Sequence, residues 1–245
     1  MSQAIQPDQV PRGNTAPGVN RAVIEYLRSI DIDLSDRAVL DVPCGKGEFL
    51  NALGNLFPGC KLYGADINDF GGGQLEKFQQ IDLSVAALPD VGVKFQLVTS
   101  ISGVMEFDNT LNFFRSIRSQ IANNGVLVVT NDNLLSARDR ILYFFTGRFR
   151  QYPLLLEENA PTWKILTLDN LFRILRDAGF DAIEIRYVPS KLAEWLWLPL
   201  ALVIYLFQTV SFATTKRSIP YSTKAKRYPF ISLLSRHYFV VCKPR

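Results

Sequence analysis

Three apolar runs in the first third of this 245-residue chain each end at or run into an acidic side chain, and each acid falls where a carboxylate can do chemistry. In "VLDVPCGKGEF" (39–49) a strand-like run closes on Asp41, and Gly45 and Gly47 follow in a turn that opens a helix. Glycine tolerates positive φ and lets backbone approach a ligand closely. A dinucleotide fingerprint would require a third glycine where Leu50 stands, and Asp41 would repel a pyrophosphate. The turn suits a ligand that brings a positive or neutral group to that acid. Asp66 closes "LYGAD", 19 residues beyond Gly47, the spacing at which an acid takes hydrogen bonds from ribose hydroxyls. Asp69 competes for that role but falls past the strand end. Asp82, in "QIDLS", is placed to bond the exocyclic amine of a purine. "TSISGVMEF" sets Ser100 and Ile101 at the mouth of a further strand, with Glu106 just beyond. Singly, each acid also reads as a loop or N-cap residue; their order carries the inference.

Strands must deliver these residues to one edge. Short apolar runs at 37–42, 60–67, 77–83, 94–102, 126–131, 181–188 and 236–243 read as strands. Helical periodicity appears at 19–30, 48–57, 109–121 and 134–147, with an αL-prone turn expected at 123–125. Thr167 is a fitting N-cap for a helix whose stripe is Leu168, Leu171, Phe172, Leu175 and Ala178, and Gly179 takes its C′ position. Strands alternating with helices predict an α/β, Rossmann-like, mostly parallel sheet with helices on both faces, binding its ligand at the carboxyl ends of the strands. The first 18 residues, rich in Pro, Gly and Gln, read as a flexible arm, and 19–245 as one domain interrupted by an apolar and basic insertion at 190–230.

The ordered set resembles the class I S-adenosylmethionine-dependent methyltransferases, of the type 11 and type 23 kind, over roughly residues 20–188 with the last strand at 236–243. "LDVPCGKGEF" is similar to that family's first motif, D-x-G/P-C-G-x-G, "LYGADI" to its ribose motif, "QIDL" to its adenine motif, and "FQLVTSISGVMEF" to its fourth-strand motif; "LRDAGF" before a strand is similar too. The resemblance implies a seven-stranded sheet with an antiparallel last strand and an S-adenosyl-L-methionine site. That site would be built from Asp41, Pro43, Cys44, Gly45, Gly47, Asp66, Ile67, Asp82, Leu83 and Ser100, with S-adenosyl-L-homocysteine as product. Gln96 replaces the usual Asp of the fourth strand, Phe107 a common His, and Asp132 a common Pro. The only histidine is His237, in the last strand, so the candidate bases are Glu106 and Asp132, with Asp108 nearby.

Charge divides the chain. Past Glu194 there is no acid and there are eight basic residues, whereas the first 194 residues hold 19 basic and 23 acidic side chains. From Trp195 to Thr215 no side chain is charged. This is long enough to cross hydrocarbon as one helix, yet the strands on either side should share a sheet, so a single span is a poor reading. Pro199 allows a kink, Trp195, Trp197 and Tyr205 suit a lipid interface, and the basic run to Arg227 suits anionic lipid. The segment is therefore expected to rest on a membrane over 195–227, or else to serve as a homodimer contact or a buried lid. An amphipathic or lipid-linked acceptor follows from the first reading, with Arg138, Arg140, Arg148 and Arg150 available to face phosphate or carboxylate. A soluble small-molecule methyltransferase and a catalytically silent cofactor-binding partner are the alternatives. Nucleic acid is disfavoured, since the basic residues adjoin an uncharged apolar run. Three scattered cysteines give neither a disulfide framework nor metal-ligand spacing, so no metal is expected, and a polar N-terminus without an apolar core points to the cytoplasm.

Overall fold

The computed structural model describes residues 10–69, 75–150, 164–189, 192–215 and 219–245. The chain runs α1 (Val19–Ser29), β1 (Ala38–Asp41), α2 (Glu48–Leu56), β2 (Lys61–Asp66), β3 (Lys77–Gln80), β4 (Phe95–Ser100), α3 (Thr110–Gln120) and β5 (Ile121–Asp132). It continues with α4 (Ala137–Thr146), α5 (Leu168–Asp177), β6 (Phe180–Pro189), α6 (Leu198–Thr214), α7 (Tyr221–Arg227) and β7 (Ser235–Pro244). The strands form one seven-stranded sheet in the order β3-β2-β1-β4-β5-β7-β6. All neighbours pair in parallel except β7, which runs antiparallel to both β5 and β6. The α/β, Rossmann-like sheet and its antiparallel last strand are as the sequence pattern and the resemblance led one to expect.

Side chains alternate across a strand, so a sheet covered on both faces has two cores. One gathers Leu40, Val98, Leu127 and Val240 with Phe113, Phe114 and Ile117 of α3 and Leu171 and Leu175 of α5. The other gathers Val39, Leu97, Val128 and Val241 with Val23, Ile24 and Leu27 of α1 and Leu50 and Leu53 of α2. Local chemistry sets the helix ends. Thr167 accepts from Asn170 N and Gly179 follows α5 at φ 92, as expected. Ser136 caps α4 by accepting from Asp139 N, so this helix starts at Ala137 and not at 134. The expected αL turn at 123–125 does not form: α3 passes straight into extended backbone at Ile121, and the slack is taken up as a register shift between Phe95 and Leu97 on β4. The loop expected at 70–74 lies outside the described residues.

Two further expectations change. Of the supposed flexible arm, residues 10–18 are packed. Val10 and Thr15 are buried, and Asn20 Nδ2 donates to the carbonyls of Pro11 and Arg12 at 3.0 Å each. Pro199 does not kink a helix; it sits in the first turn of α6, after a 3-10 turn over Leu192–Trp197, where its missing N–H costs no hydrogen bond.

The segment between β6 and β7 leaves and returns at one edge of the sheet. β6 runs parallel to β5, so its end at Pro189 lies at the carboxyl edge, and the start of β7 pairs beside it, Pro189 against Ser235. α6 is fixed there through a small core of Ala137, Ala201, Leu233 and Leu234. A polar seam runs alongside. Glu194 meets Arg138 at 3.3 Å and also Arg236, while Arg140 Nη2 donates to Gln208 Oε1 at 2.8 Å. The reading of α6 as a buried lid does not hold. Of the 17 residues of α6 only Ala201 and Gln208 are buried, and Leu202, Val203, Leu206, Phe207 and Val210 are exposed.

Candidate active site

At the end of β1 the chain turns through Pro43 and Cys44 into two glycines that hold left-handed backbone, Gly45 at φ 52 and Gly47 at φ 73. The Gly45 amide donates to Asp66 Oδ2 at 2.8 Å, and Asn68 N donates to Asp66 Oδ1 at 3.0 Å. Asp66 therefore ties the end of β2 to the glycine turn and fixes where its remaining lone pairs point. The packing beneath leaves no slack: a Cβ on Gly103 would fall 2.2 Å from Pro43 Cδ. Asp82, just past β3, accepts from Ser84 N at 2.9 Å and Ser84 Oγ at 2.5 Å. Those bonds lower its pKa and hold it ionised. Asp41 is 2% exposed and accepts from Thr99 Oγ1 at 2.6 Å. Burial raises its pKa to about 7 against the opposing Thr99 bond, and the charge of Asp66 adds to the rise.

These residues line one cavity of about 470 Å³ at the carboxyl ends of β1, β2, β3 and β4. Asp41, Pro43, Cys44, Gly45, Asp66, Ile67, Asp82 and Leu83 all line it, as the sequence led one to expect; Gly47 does not, and acts by starting α2. Ser100 does not line it. Its side chain is fully buried, and Ile101 and Ser102 take the place at the strand mouth. Glu106 lines the cavity while staying solvent-exposed; partial desolvation, then the charge of Asp66, raises its pKa. Asp108 lines it too, held 3.2 Å from Lys164 Nζ. Asp132 does not. It is buried at the end of β5, 3.1 Å from His237 Nδ1, and His237 is driven down to about 4, first by burial and then by Arg150 and Arg236. Asp132 is thus paired within the sheet and set apart from the cavity's lining residues.

Nor do the arginines of 138–150 face the cavity. Arg138 and Arg140 belong to the seam under α6, and Arg150 faces Asp139 at 3.6 Å. Sequence reasoning missed the cavity's fourth wall, Gly13, Asn14, Thr15 and Asn20, together with Glu48 and Asn68. Asn14 stood in a stretch whose Gly and Pro content signals turns as readily as disorder, and Asn20 in a helix read only for its apolar face.

Among the described residues the cavity wall carries six carboxylates (Asp41, Glu48, Asp66, Asp82, Glu106, Asp108) and no Lys, Arg or His. Such a site favours cations and repels phosphate. S-adenosylmethionine brings a sulfonium and an ammonium, together with ribose hydroxyls and an adenine amine that carboxylates can accept from. The wall fits that cofactor, and Asp41, near neutral in isolation, gains from ionising beside its positive charge.

Known proteins agree. The methyltransferase domain family matches residues 15–185. Among solved structures the fold is similar to an S-adenosylmethionine-dependent methyltransferase from Archaeoglobus fulgidus, at 20% identity, 91% coverage of this chain, 94% of that chain and TM-score 0.55. It is similar to another from Clostridium acetobutylicum, at 9% identity, with coverages of 98% and 92% and TM-score 0.55. The magnesium protoporphyrin IX methyltransferase from Synechocystis, solved with bound S-adenosylmethionine, matches at 12% identity, with coverages of 92% and 78% and TM-score 0.51. No curated protein matches the sequence. With the motifs, the sheet order and the acid-lined cavity all in place, the chain belongs to the methyltransferase domain family and has the fold of the class I S-adenosylmethionine-dependent methyltransferases.

Proposed function

We propose that this methyltransferase works at a cytoplasmic membrane surface on an amphipathic or lipid-linked acceptor. The observation that carries the proposal is an inverted helix at the edge of the sheet that holds the cavity. A helix of a soluble domain turns its apolar stripe inward. On α6 the inward stripe includes the polar Gln208, beside Glu194 in the preceding turn, while Leu202, Val203, Leu206, Phe207 and Val210 face out. α4 adds Phe144 and Phe145, both about three-quarters exposed. Apolar surface on this scale marks an interaction site. α4 follows the carboxyl end of β5 and α6 follows that of β6, so both stand at the edge where β1 to β4 open the cavity.

When bound, S-adenosylmethionine would supply an activated methyl group for in-line transfer to the acceptor, with S-adenosylhomocysteine as the leaving product. Alignment supplies most of the rate. Asp66 holds the ribose, Asp82 the adenine amine, and Asp41 sets the field around the positive end. Glu106, the raised carboxylate at the cavity's solvent side, is the group placed to accept a proton from a hydroxyl or ammonium acceptor.

Incubation with a radiolabelled methyl donor and a total lipid extract tests the reading. Label partitioning into the organic phase supports it; label in a water-soluble product, resolved from unreacted donor by chromatography, shows a soluble acceptor and refutes it. Binding of cofactor with no transfer to either phase favours a silent assembly partner.

A further inference from the structure

The N-terminal segment, which composition marks as a free arm, forms a wall of the cavity. Gly13, Asn14 and Thr15 line it, with Thr15 Oγ1 2.6 Å from Ser102 Oγ at the mouth of β4. Arg12 Nε closes the turn by donating to Thr15 O at 2.7 Å. Asn20, in the first turn of α1, anchors the segment from below. It is 4% exposed and itself lines the cavity. Both its amide hydrogens are spent on the carbonyls of Pro11 and Arg12. Two carbonyl partners fix which end of the amide is nitrogen, so the remaining atom is the oxygen. That oxygen is buried and has no hydrogen-bond partner among the described residues. A buried acceptor left unpaired is costly, and its presence at a ligand cavity signals a donor that arrives with the ligand.

The donor's chemistry follows from what surrounds it. An acceptor oxygen excludes a carboxylate partner. Glu48 Oε2 and Asn20 Nδ2 lie 3.8 Å and 3.3 Å from where a Cβ on Gly13 would stand, so Asn20 shares its corner with an acid, and Asp41 lines the same cavity. S-adenosylmethionine has three kinds of donor. The adenine amine belongs with Asp82 past β3 and the ribose hydroxyls with Asp66 on β2, at the opposite side of β1 from β4. The third donor is the ammonium. We propose that Asn20 binds the α-ammonium group at the amino-acid end of the cofactor, with Gly13–Thr15 as a strap that closes this end of the cavity. The inference rests on the cofactor reading above.

Titration calorimetry with two probes tests it: S-adenosylhomocysteine, which carries the ammonium, and 5′-methylthioadenosine, which keeps the nucleoside and thioether but lacks the amino-acid end. Asn20→Ala is expected to weaken S-adenosylhomocysteine by about tenfold and to leave methylthioadenosine within about twofold, which also shows that the variant is folded. Asn20→Asp, which keeps an oxygen and adds charge, is expected to bind S-adenosylhomocysteine more tightly than Asn20→Ala does. Equal losses for both probes would make Asn20 only a support for the strap and overturn the inference, as would no loss for either. Wild-type protein that binds neither probe overturns the cofactor reading itself, and this inference with it.

Discussion

Replacing Leu206 and Phe207 together by serine tests the membrane reading most directly. The two side chains are 65% and 71% exposed, so lipid would have most of each left to bury. Full burial of one such side chain is worth about 1.5–3 kcal/mol, and scaling by those exposures gives about 2–4 kcal/mol for the pair. That corresponds to a fall of roughly 30- to 700-fold in the vesicle partition coefficient. Flotation of the purified protein with phospholipid vesicles across a range of lipid concentrations measures it. The fold should not notice: substitutions at exposed sites away from packing features shift stability by only about 0.5 kcal/mol, or roughly 2 °C in a chain of this size. Sedimentation should also give the same mass before and after. Two results refute the reasoning. Unchanged flotation means lipid does not cover this face. A large loss of thermal stability, or a change of mass, means protein covers it, as in a homodimer. Salt should matter little. Lys224 is spent on the carbonyls of Phe212 and Thr215 at the end of α6, and Arg227 lies over the Phe172 ring and pairs with Asp169, so two of the five basic side chains of the 216–227 run are engaged within the protein.

Other perturbations follow from the cavity. Asp66→Ala removes a charged acceptor that also holds the Gly45 and Asn68 amides; the dissociation constant for S-adenosylhomocysteine should rise by one to two orders of magnitude, from roughly 1.5–3 kcal/mol of charge-assisted bonding, and unchanged calorimetry would remove Asp66 from the site. Folding raises the Asp41 pKa from 3.8 to about 7, so it favours the protonated form. This group's stabilisation is complete below the unfolded pKa and is lost as pH rises through about 7. Cofactor-free Asp41→Asn should accordingly lose less melting temperature than wild type between pH 5 and 8, and parallel curves would contradict that origin. Gly103→Ala drives a Cβ to 2.2 Å from the Pro43 ring; overpacking of this kind costs about 1–3 kcal/mol, so a melting point unchanged within error would show that the ring moves freely.

How much of this was legible in the sequence depended on range. Asp41, Asp66 and Asp82 are local facts: a strand pattern ends, an acid follows, and the sheet must bring such ends together. Ser100 was misplaced because strand parity groups it with Ser102. The backbone turns left-handed at Ser102, φ 56, which frees Ser102 to meet Thr15 and leaves Ser100 in the core. Asp132 was misread because its partner, His237, lies on the far strand of an antiparallel pair, and no local signal shows that register. The N-terminal wall was missed for the same reason. Its closing contact, Thr15 to Ser102, spans 87 residues, whereas the Gly and Pro composition that suggested a free arm is local. Composition showed that α6 was apolar, but not that Gln208 is buried while Leu202, Leu206 and Phe207 are exposed.

How α6 would meet lipid under the membrane proposal is limited by its place in the fold. Its 17 residues extend about 25 Å, nearly enough for a crossing, and composition alone allows one. Two features oppose it. Val188 pairs with His237 and Pro189 with Ser235, so the chain must leave and re-enter at the same place, which one pass through a bilayer cannot do. A crossing would also strip α6 from the body and break the pairing of Glu194 with Arg138 and Arg236. The seam holds those charges together only while α6 lies on α4. On the membrane proposal, α6 lies in the interface, its outer face sunk about 5–10 Å into the lipid boundary and its inner face still docked. In that geometry the carboxyl edge of the sheet is held close to the lipid, and an acceptor anchored in the bilayer by its apolar part need lift only its polar end to reach the cavity.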